Sequence, residues 1–469
     1  MSTVDSLRGA AAALAGLGTA ELALALPGRP SLVDGVARVV VDTAPRPVVD
    51  LTVATVGAAD KTLTRAGVTA GVLAAGALAA RLRGSRRAAA VVLAAAVGTA
   101  ASARRPPRAP LAATAAAVAG GLVTLGVLSG RRAGAAAALG GGALVAAGRL
   151  RARRHRAHDD RTTGGTVAVP RDGAEHWPGV SPLLTPVADF FATDVNLGAP
   201  LLDAATWRLR LGGLVERPVE LTRDDLLALG TEDVDAVLVC IHNPPGGHRV
   251  GNGRWTGVPL DRLLAAARPL PAARALVSRS VDGFSMSYPL DGLRGYVVLG
   301  LNGAPLPAAH GYPARLLVPG LYGQYAGVKW LTALDLAAPG HVDYWVRRGW
   351  PVGPVRVRPH ARIDHPRPGR CGTGLVAVRG VAWAPPDGLR AVEVSVDGGT
   401  WRPAELARAL SGTAWRRWEA VVALAPGSHT LRARAVPRCG PPQREDRTPP
   451  FPAGAGGLHA VRVYGARDA

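Results

Sequence analysis

The strongest constraint on this chain is a break in composition near residue 150. The first 150 residues contain no His, Trp, Tyr, Phe or Cys; they are Ala, Gly, Leu and Val punctuated by Arg, and the first histidine and first aromatic residue are His155 and Trp177. Apolar stretches run from Ala10 to Leu26, Ala66 to Ala80, Ala88 to Ala103, Leu111 to Ser129 and Ala133 to Gly148. A membrane span needs about 20 apolar residues, with a range of about 17–25, so these are on the short side. They carry Glu21 inside the first and lack an aromatic belt. Five such segments separated by arginine-bearing loops read as an all-α membrane anchor over residues 1–149, the alternatives being soluble alanine-rich helices or a disordered leader. Residues 150–178, with an Arg/His run, Thr162-Thr163-Gly164-Gly165 and Pro170, read as a linker.

Beyond the linker the chain reads as two further domains. Over residues 179–355, Thr206 to Leu211 and Ala236 to Ile241 look like strands, and Thr222 to Leu229 and Leu260 to Ala267 like short helices. Thr222 is placed as an N-cap ahead of Asp224 and Asp225. This mixture predicts an irregular α+β domain. Over 356–469 the pattern becomes alternating strands, Leu375 to Trp383, Ala391 to Val396, Trp415 to Leu424, His429 to Val436 and Leu458 to Tyr464, with Asp397-Gly398-Gly399 as a hairpin turn between two of them. Regular short strands with turn signals predict a β-sandwich, expected to be of the immunoglobulin-like type. The net charge of +21 does not point to nucleic acid, because the arginines are spread along the chain and no helix-turn-helix, zinc-finger or RNA-binding signature accompanies them.

The chemistry concentrates at Cys240. The apolar approach Val237-Leu238-Val239 reads as a buried strand, which delivers the thiol at a strand end where the glycine-rich loop Gly246 to Gly253 begins. A sulfur placed there can ligate a soft metal or act as a nucleophile, or it is simply a small buried hydrophobe. No cysteine-protease signature or zinc spacing surrounds it. Only two lysines occur in the chain, Lys61 and Lys329. Arginine has taken nearly every other cationic position, so Lys329 stands out as a compact point charge suited to a phosphate.

The run Cys240-Ile241-His242-Asn243, followed by Arg254-Trp255-Thr256-Gly257, resembles the molybdenum-binding segment of the sulfite oxidase family. His310-Gly311-Tyr312-Pro313-Ala314-Arg315, Val318-Pro319-Gly320 and Gly327-Val328-Lys329-Trp330 resemble its pterin-phosphate segment, and Tyr344 to Trp350 with Arg362-Ile363-Asp364 the passage into its C-terminal domain. The resemblance covers about residues 180 to 469. It implies a molybdenum–molybdopterin cofactor with Cys240 as metal ligand and catalytic residue. It further implies that Arg315 and Lys329 neutralise the pterin phosphate, with His310 and Ser280 as hydrogen-bonding neighbours and Gly327 and Val328 lending backbone groups. Asn243 and the loop through Asn252 would fix the cysteine, and Phe191 and Trp255 complete the implied cofactor site.

The resemblance also implies a membrane-anchored oxidoreductase that transfers an oxygen atom to or from a small substrate. The alternatives are a sulfoxide-type reductase and a non-catalytic membrane-tethered binding protein on a degenerate version of the fold. Val187, Ala326 and Val328 depart from the family pattern, and Pro244-Pro245-Gly246-Gly247 stands where sulfite oxidases carry a substrate-binding arginine, leaving Arg249 or Arg254 to compensate. Arg131-Arg132 resembles a degenerate internal twin-arginine signal, which favours an exported catalytic domain on a multi-pass anchor. In that compartment a Cys371–Cys439 disulfide is admissible. Gly372 to Ala469 is expected to be separable and to mediate homodimer formation. The anchor offers no histidine or cysteine as a haem ligand, and Met1 is its one methionine. No haem is therefore expected, and a separate cytochrome or quinone-linked partner would take the electrons.

Overall fold

The structure, a computed structural model, describes residues 3–25, 31–44, 60–82, 133–162, 168–196 and 198–466, together with 116, 119, 120, 123 and 124. It divides into two units, one of residues 1–161 with 194–201 and 281–283, the other of 162–193, 202–280 and 284–469.

The first unit is helical: α1 (Thr3–Ala25), α2 (Leu32–Thr43), α3 (Asp60–Ala79) and α4 (Ala133–Thr162). Two of these helices are long and apolar enough to cross a membrane, over Asp5–Ala25 and Lys61–Ala79, and they overlap the first two expected stretches. The stretch 88–103 and most of 111–129 lie outside the described residues. The last expected stretch lies within α4, which runs on to Thr162. The linker expected from residue 150 therefore begins as helix, because its Ala/Arg-rich start is made of strong helix formers. Helices here approach backbone to backbone: a methyl on Gly9 would run into the carbonyl of Gly76, and one on Gly18 into that of Gly140. Glu21 is buried, and its carboxylate accepts hydrogen bonds from Ser31 Oγ and Val33 N, both at 2.9 Å, and pairs with Arg151 at 2.7 Å. A buried carboxylate is tolerated only with such compensation.

The second unit opens with the α+β region. Its strands are β1 (Leu209–Gly213), β2 (Val219–Leu221), β3 (Glu232–Val239), β4 (Val250–Pro259), β5 (Ala275–Ser280), β6 (Ser285–Pro289), β7 (Tyr296–Leu301), β8 (Ala304–Pro305), β9 (Arg315–Leu317) and β10 (Leu331–Ala337). They form one sheet in the order β2-β1-β10-β5-β6 and another in the order β3-β4-β7-β8, with β9 added on β7. Helices α5 (Arg223–Ala228), α6 (Leu260–Ala267) and α7 (Gly323–Ala326) accompany them. Thr222 caps α5 as expected and is answered by Asp225 in a reciprocal capping box.

The C-terminal region is β11 (His360–His365), β12 (Gly369–Cys371), β13 (Gly374–Trp383), β14 (Leu389–Val396), β15 (Arg402–Pro403), β16 (Glu405–Leu406), β17 (Arg416–Leu424), β18 (Gly427–Pro437) and β19 (His459–Gly465). Sheets β11-β13-β17-β16 and β12-β19-β18-β14-β15 share a core that includes Val378 and Trp418 from one and Val392 and Leu431 from the other. Asp397 and Gly398 both have positive φ, 53° and 76°, and Gly399 N donates to Val396 O at 2.8 Å, a type I′ turn. This turn leads from β14 into the short edge strand β15, not into the next long strand, which belongs to the other sheet.

The structure bears on two readings of this region. Cys371 and Cys439 are both free, the first buried and the second exposed. Cys371 lies opposite Gly465, which lies opposite Gly427 at the start of β18, whereas Cys439 follows the far end of that 11-residue strand. At about 3.3 Å per residue the two are roughly 30 Å apart, far beyond disulfide reach. The region also packs into the α+β core. Val381, Trp383 and Trp415 belong to the α+β core, Val237 N donates to Thr413 O at 2.9 Å, and Trp415 N donates to Asn252 Oδ1 at 3.1 Å.

Candidate active site

β3 delivers Cys240 to its end. Val237, Leu238 and Val239 are buried, and Cys240 follows at 7% exposure. Val239 pairs with Val250 across the antiparallel ladder, which goes one step further: Cys240 N donates to Arg249 O at 2.9 Å. Residues 241–248 form the closed loop between them. Asn243 ties its ends, with its N–H donating to Cys240 O at 2.9 Å and its Oδ1 accepting from Arg249 N at 2.8 Å. Burial pushes the Cys240 thiol pKa up; the backbone N–H of His242, the charge of Arg249 and the hydroxyl of Thr193 pull the other way. Those three groups are what an anionic sulfur would use, and a bound cation would remove the burial penalty.

A second cluster converges on Gly311. Its φ is +109°, and a Cβ there would meet Arg315 Cβ at 3.0 Å and Lys329 Cα and Cβ at 3.2 Å, so the three motif segments touch at one glycine. Their backbones are laced together by Leu316 N to Val328 O at 3.0 Å, Val318 N to Ala326 O at 2.6 Å and Leu331 N to Ala314 O at 2.9 Å. A Cβ on Gly327 would run into the Leu316 carbonyl. Arg315 is 2% exposed, its guanidinium 5.2 Å over the Trp255 ring and its Nη1 donating to His310 O at 3.4 Å. Lys329 Nζ donates to Ala309 O at 2.7 Å. Ser280, buried at the end of β5, is register partner of Leu331, two positions past the lysine.

The two clusters meet through aromatic rings and α7. Phe190 stands edge-on to His310 at 5.6 Å and to Trp255 at 5.5 Å, with Phe191 stacked on it at 6.1 Å. A Cβ on Gly323 would lie 3.3 Å from Val239 O and 3.9 Å from the Phe191 ring.

Several candidate residues sit differently from their expected roles. Trp255 is fully buried, with its indole N–H donating to Ala236 O at 3.2 Å, so it seats Arg315 and offers no open face. Asn252 is also fully buried, and its amide is committed to Leu183 O at 2.9 Å and Trp415 N at 3.1 Å. Its position opposite Val237 puts it in the body of the ladder, away from the cysteine loop. The carbonyl of Val328 is taken by Leu316. Arg254 is locked to Asp235 through two bonds of 2.9 and 2.8 Å and cannot serve a substrate. Arg249 is half-buried, and among the described residues it forms no ion pair. Thr193, Phe190 and Gly311 were not singled out from the sequence. Thr193 and Phe190 flank Phe191 closely, which is the one local signal they carry.

Residues 196–345 match the oxidoreductase molybdopterin binding domain family. Over this region the chain is similar to the sulfite oxidase family of molybdopterin oxidoreductases. It is 29% identical over 301 residues to the mitochondrial sulfite oxidase of Macaca fascicularis, covering 53% of this chain and 54% of that protein. The chain thus spans about half the length of the sulfite oxidases it matches first. An uncharacterized oxidoreductase of Bacillus subtilis, YuiH, is 28% identical over 151 residues, 32% of this chain and 74% of its own. Among solved structures, the sulfane dehydrogenase SoxCD of Paracoccus pantotrophus superposes with a TM-score of 0.54 at 25% identity, over 61% of this chain and 82% of its own. The residues present fit the cofactor that the matched domain family implies: a buried thiol at a strand end, whose pKa burial raises against the pull of three nearby groups, and an arginine and a lysine whose side chains both start beside Gly311.

Proposed function

We propose that this protein is a membrane-anchored molybdopterin oxidoreductase that transfers an oxygen atom to or from a small substrate, with Cys240 as the metal ligand. The observation that carries the proposal is the buried Cys240 at the end of β3, held in a closed loop by Asn243, which accepts from Arg249 N at 2.8 Å. Molybdopterin, when bound, supplies two-electron oxygen-atom-transfer chemistry. Arg315 and Lys329 would hold its phosphate, with His310, Ser280 and the backbone at Gly327 beside them. Asn243 would hold the cysteine loop, and Phe191 would line the junction between the two clusters.

Arg249 is the cation left to meet a negatively charged substrate at the thiol. A neutral, sulfoxide-type substrate is the second reading. It is favoured by the ring of His242, two residues from Cys240, which stands edge-on to Trp350 at 5.8 Å, itself 5.2 Å from Phe451. α1 and α3 support the anchor, whose five-span form and export of the catalytic unit belong to the same proposal. So do the absence of haem from the chain, a separate electron-transfer partner and a homodimer. Metal and pterin analysis of full-length protein made under cofactor-replete conditions tests the core of this reading. One molybdenum per chain is expected; none would favour a non-catalytic binding protein.

A further inference from the structure

We propose that His459 is a positioning residue for the loop that carries Cys240, so that the C-terminal sheets complete the active site; this rests on the reading of Cys240 as metal ligand. The loop has bonds of its own near its ends, through Cys240, Asn243 and Arg249, and one internal turn in which Gly247 N donates to Pro244 O at 2.8 Å. Its middle, Gly246-Gly247, is gripped from outside.

His459 opens β19 and lays its ring on Gly246. A Cβ on Gly246 would land on the Cδ2 and Nε2 atoms of that ring, and the glycine has φ +80°. The ring is fixed in turn, because its Nδ1 accepts from Ile363 N at 3.0 Å. An Nδ1 that accepts leaves the proton on Nε2, the edge that meets Gly246. Burial holds the imidazole pKa below its ordinary value; Arg362, His248 and Arg447 push the same way, and Asp364 opposes them.

The next residue is held by the same neighbourhood. Arg362, 5% exposed, donates from Nη1 to Gly247 O at 3.2 Å, from Nε to Asp364 Oδ1 at 2.7 Å and from Nη2 to Ser181 Oγ at 2.7 Å. Asp364 Oδ2 accepts from Ser181 N at 3.0 Å, which closes the network. Two consecutive glycines of the loop are thus set by His459 and Arg362, whose network is satisfied without a ligand. Any shift at Gly246 passes through Pro244 and Asn243 to the Cys240 carbonyl and the Arg249 amide.

The test uses full-length protein prepared without cofactor. Iodoacetamide labelling of Cys240 is followed by peptide mass mapping, with exposed Cys439 as internal reference. His459→Ala is expected to raise the Cys240 rate about tenfold relative to Cys439, as a locally opened loop would. Gly246→Ala should do the same, because its methyl meets the ring. The double variant should label about as fast as either single variant, since both changes break the same contact. In cofactor-loaded protein, His459→Ala should keep its molybdenum and lose kcat more than KM. Should His459→Ala fail to fold, His459→Asn carries the test, keeping an acceptor for Ile363 N while removing the ring edge. Wild-type labelling in a folded His459 variant, or additive effects in the double variant, would overturn the proposal. Wild-type protein without molybdenum, but with the labelling contrast intact, would sink the cofactor reading and leave the loop contact standing.

Discussion

The cluster of Arg315 and Lys329 around Gly311 and the loop that carries Cys240 are two halves of the proposed site, built in different ways. The cluster is held by its own chain: residues 314–318 and 326–331 bond to each other, and glycines 311 and 327 stand where the strands crowd together. The loop is closed at its ends by local bonds but held in the middle by Arg362 and His459, which come from the C-terminal sheets. A self-bonded motif survives damage elsewhere; a loop held from a distance does not.

The largest expected effect separates the halves outright. Cys240→Ser should remove molybdenum while the cluster still retains pterin, because a hydroxyl is a poorer soft-metal ligand than a thiolate. Activity should fall by more than the roughly 10- to 100-fold usual for residues outside the ligand set. Parallel metal and pterin assays read this, and full oxygen-atom-transfer activity in the variant would defeat the ligand assignment. Gly327→Ala attacks the other half by forcing a methyl against the Leu316 carbonyl. It should cost about 2–4 kcal/mol in urea unfolding, and a loss under about 0.5 kcal/mol would show the cluster is not held as described.

Replacing Arg315 or Lys329 with Ala should weaken pterin retention by about 1.5–3 kcal/mol each, the value of a charge-assisted bond. Equilibrium dialysis of the cofactor measures it, and unchanged retention in both variants would count against the phosphate role.

The smallest effect concerns acid. His360 lies on β11, the strand that carries Arg362 and Ile363, and burial lowers its pKa to about 4. A histidine depressed in the fold is protonated first in the unfolded chain, so its stabilising contribution is complete above about pH 6.5 and declines as pH falls toward 4. The loss should be about 2 kcal/mol at pH 5. Thermal melts at pH 7 and 5 check this, and His360→Gln should flatten the difference. A melting temperature independent of pH over that range would remove the argument.

Local signals were read well where local physics decides them. Thr222 caps its helix, Leu260–Ala267 is a helix, and the apolar run before Cys240 is a buried strand that ends at Val239. The strands expected after residue 372 form within about three residues of their expected ends. Where the sequence misled, a long-range partner had already claimed the residue. Arg254 looked available to a substrate until Asp235 took its guanidinium, and Asn252 looked like part of the cysteine loop until Leu183 and Trp415 took its amide.

The sequence alone determined the thiol at a strand end, the order of the cofactor motifs and the split between an aromatic-free N-terminal segment and the α+β and all-β regions that follow. Those features depend on side-chain size, periodicity and turn chemistry, which act over a few residues. The tertiary structure alone decided that Cys371 and Cys439 lie at opposite ends of their sheet, that Trp255 seats Arg315, and that His459 rests on Gly246. Each of those depends on how strands distant in the chain are registered and packed, and no local pattern encodes a register between segments that meet only when the sheets close.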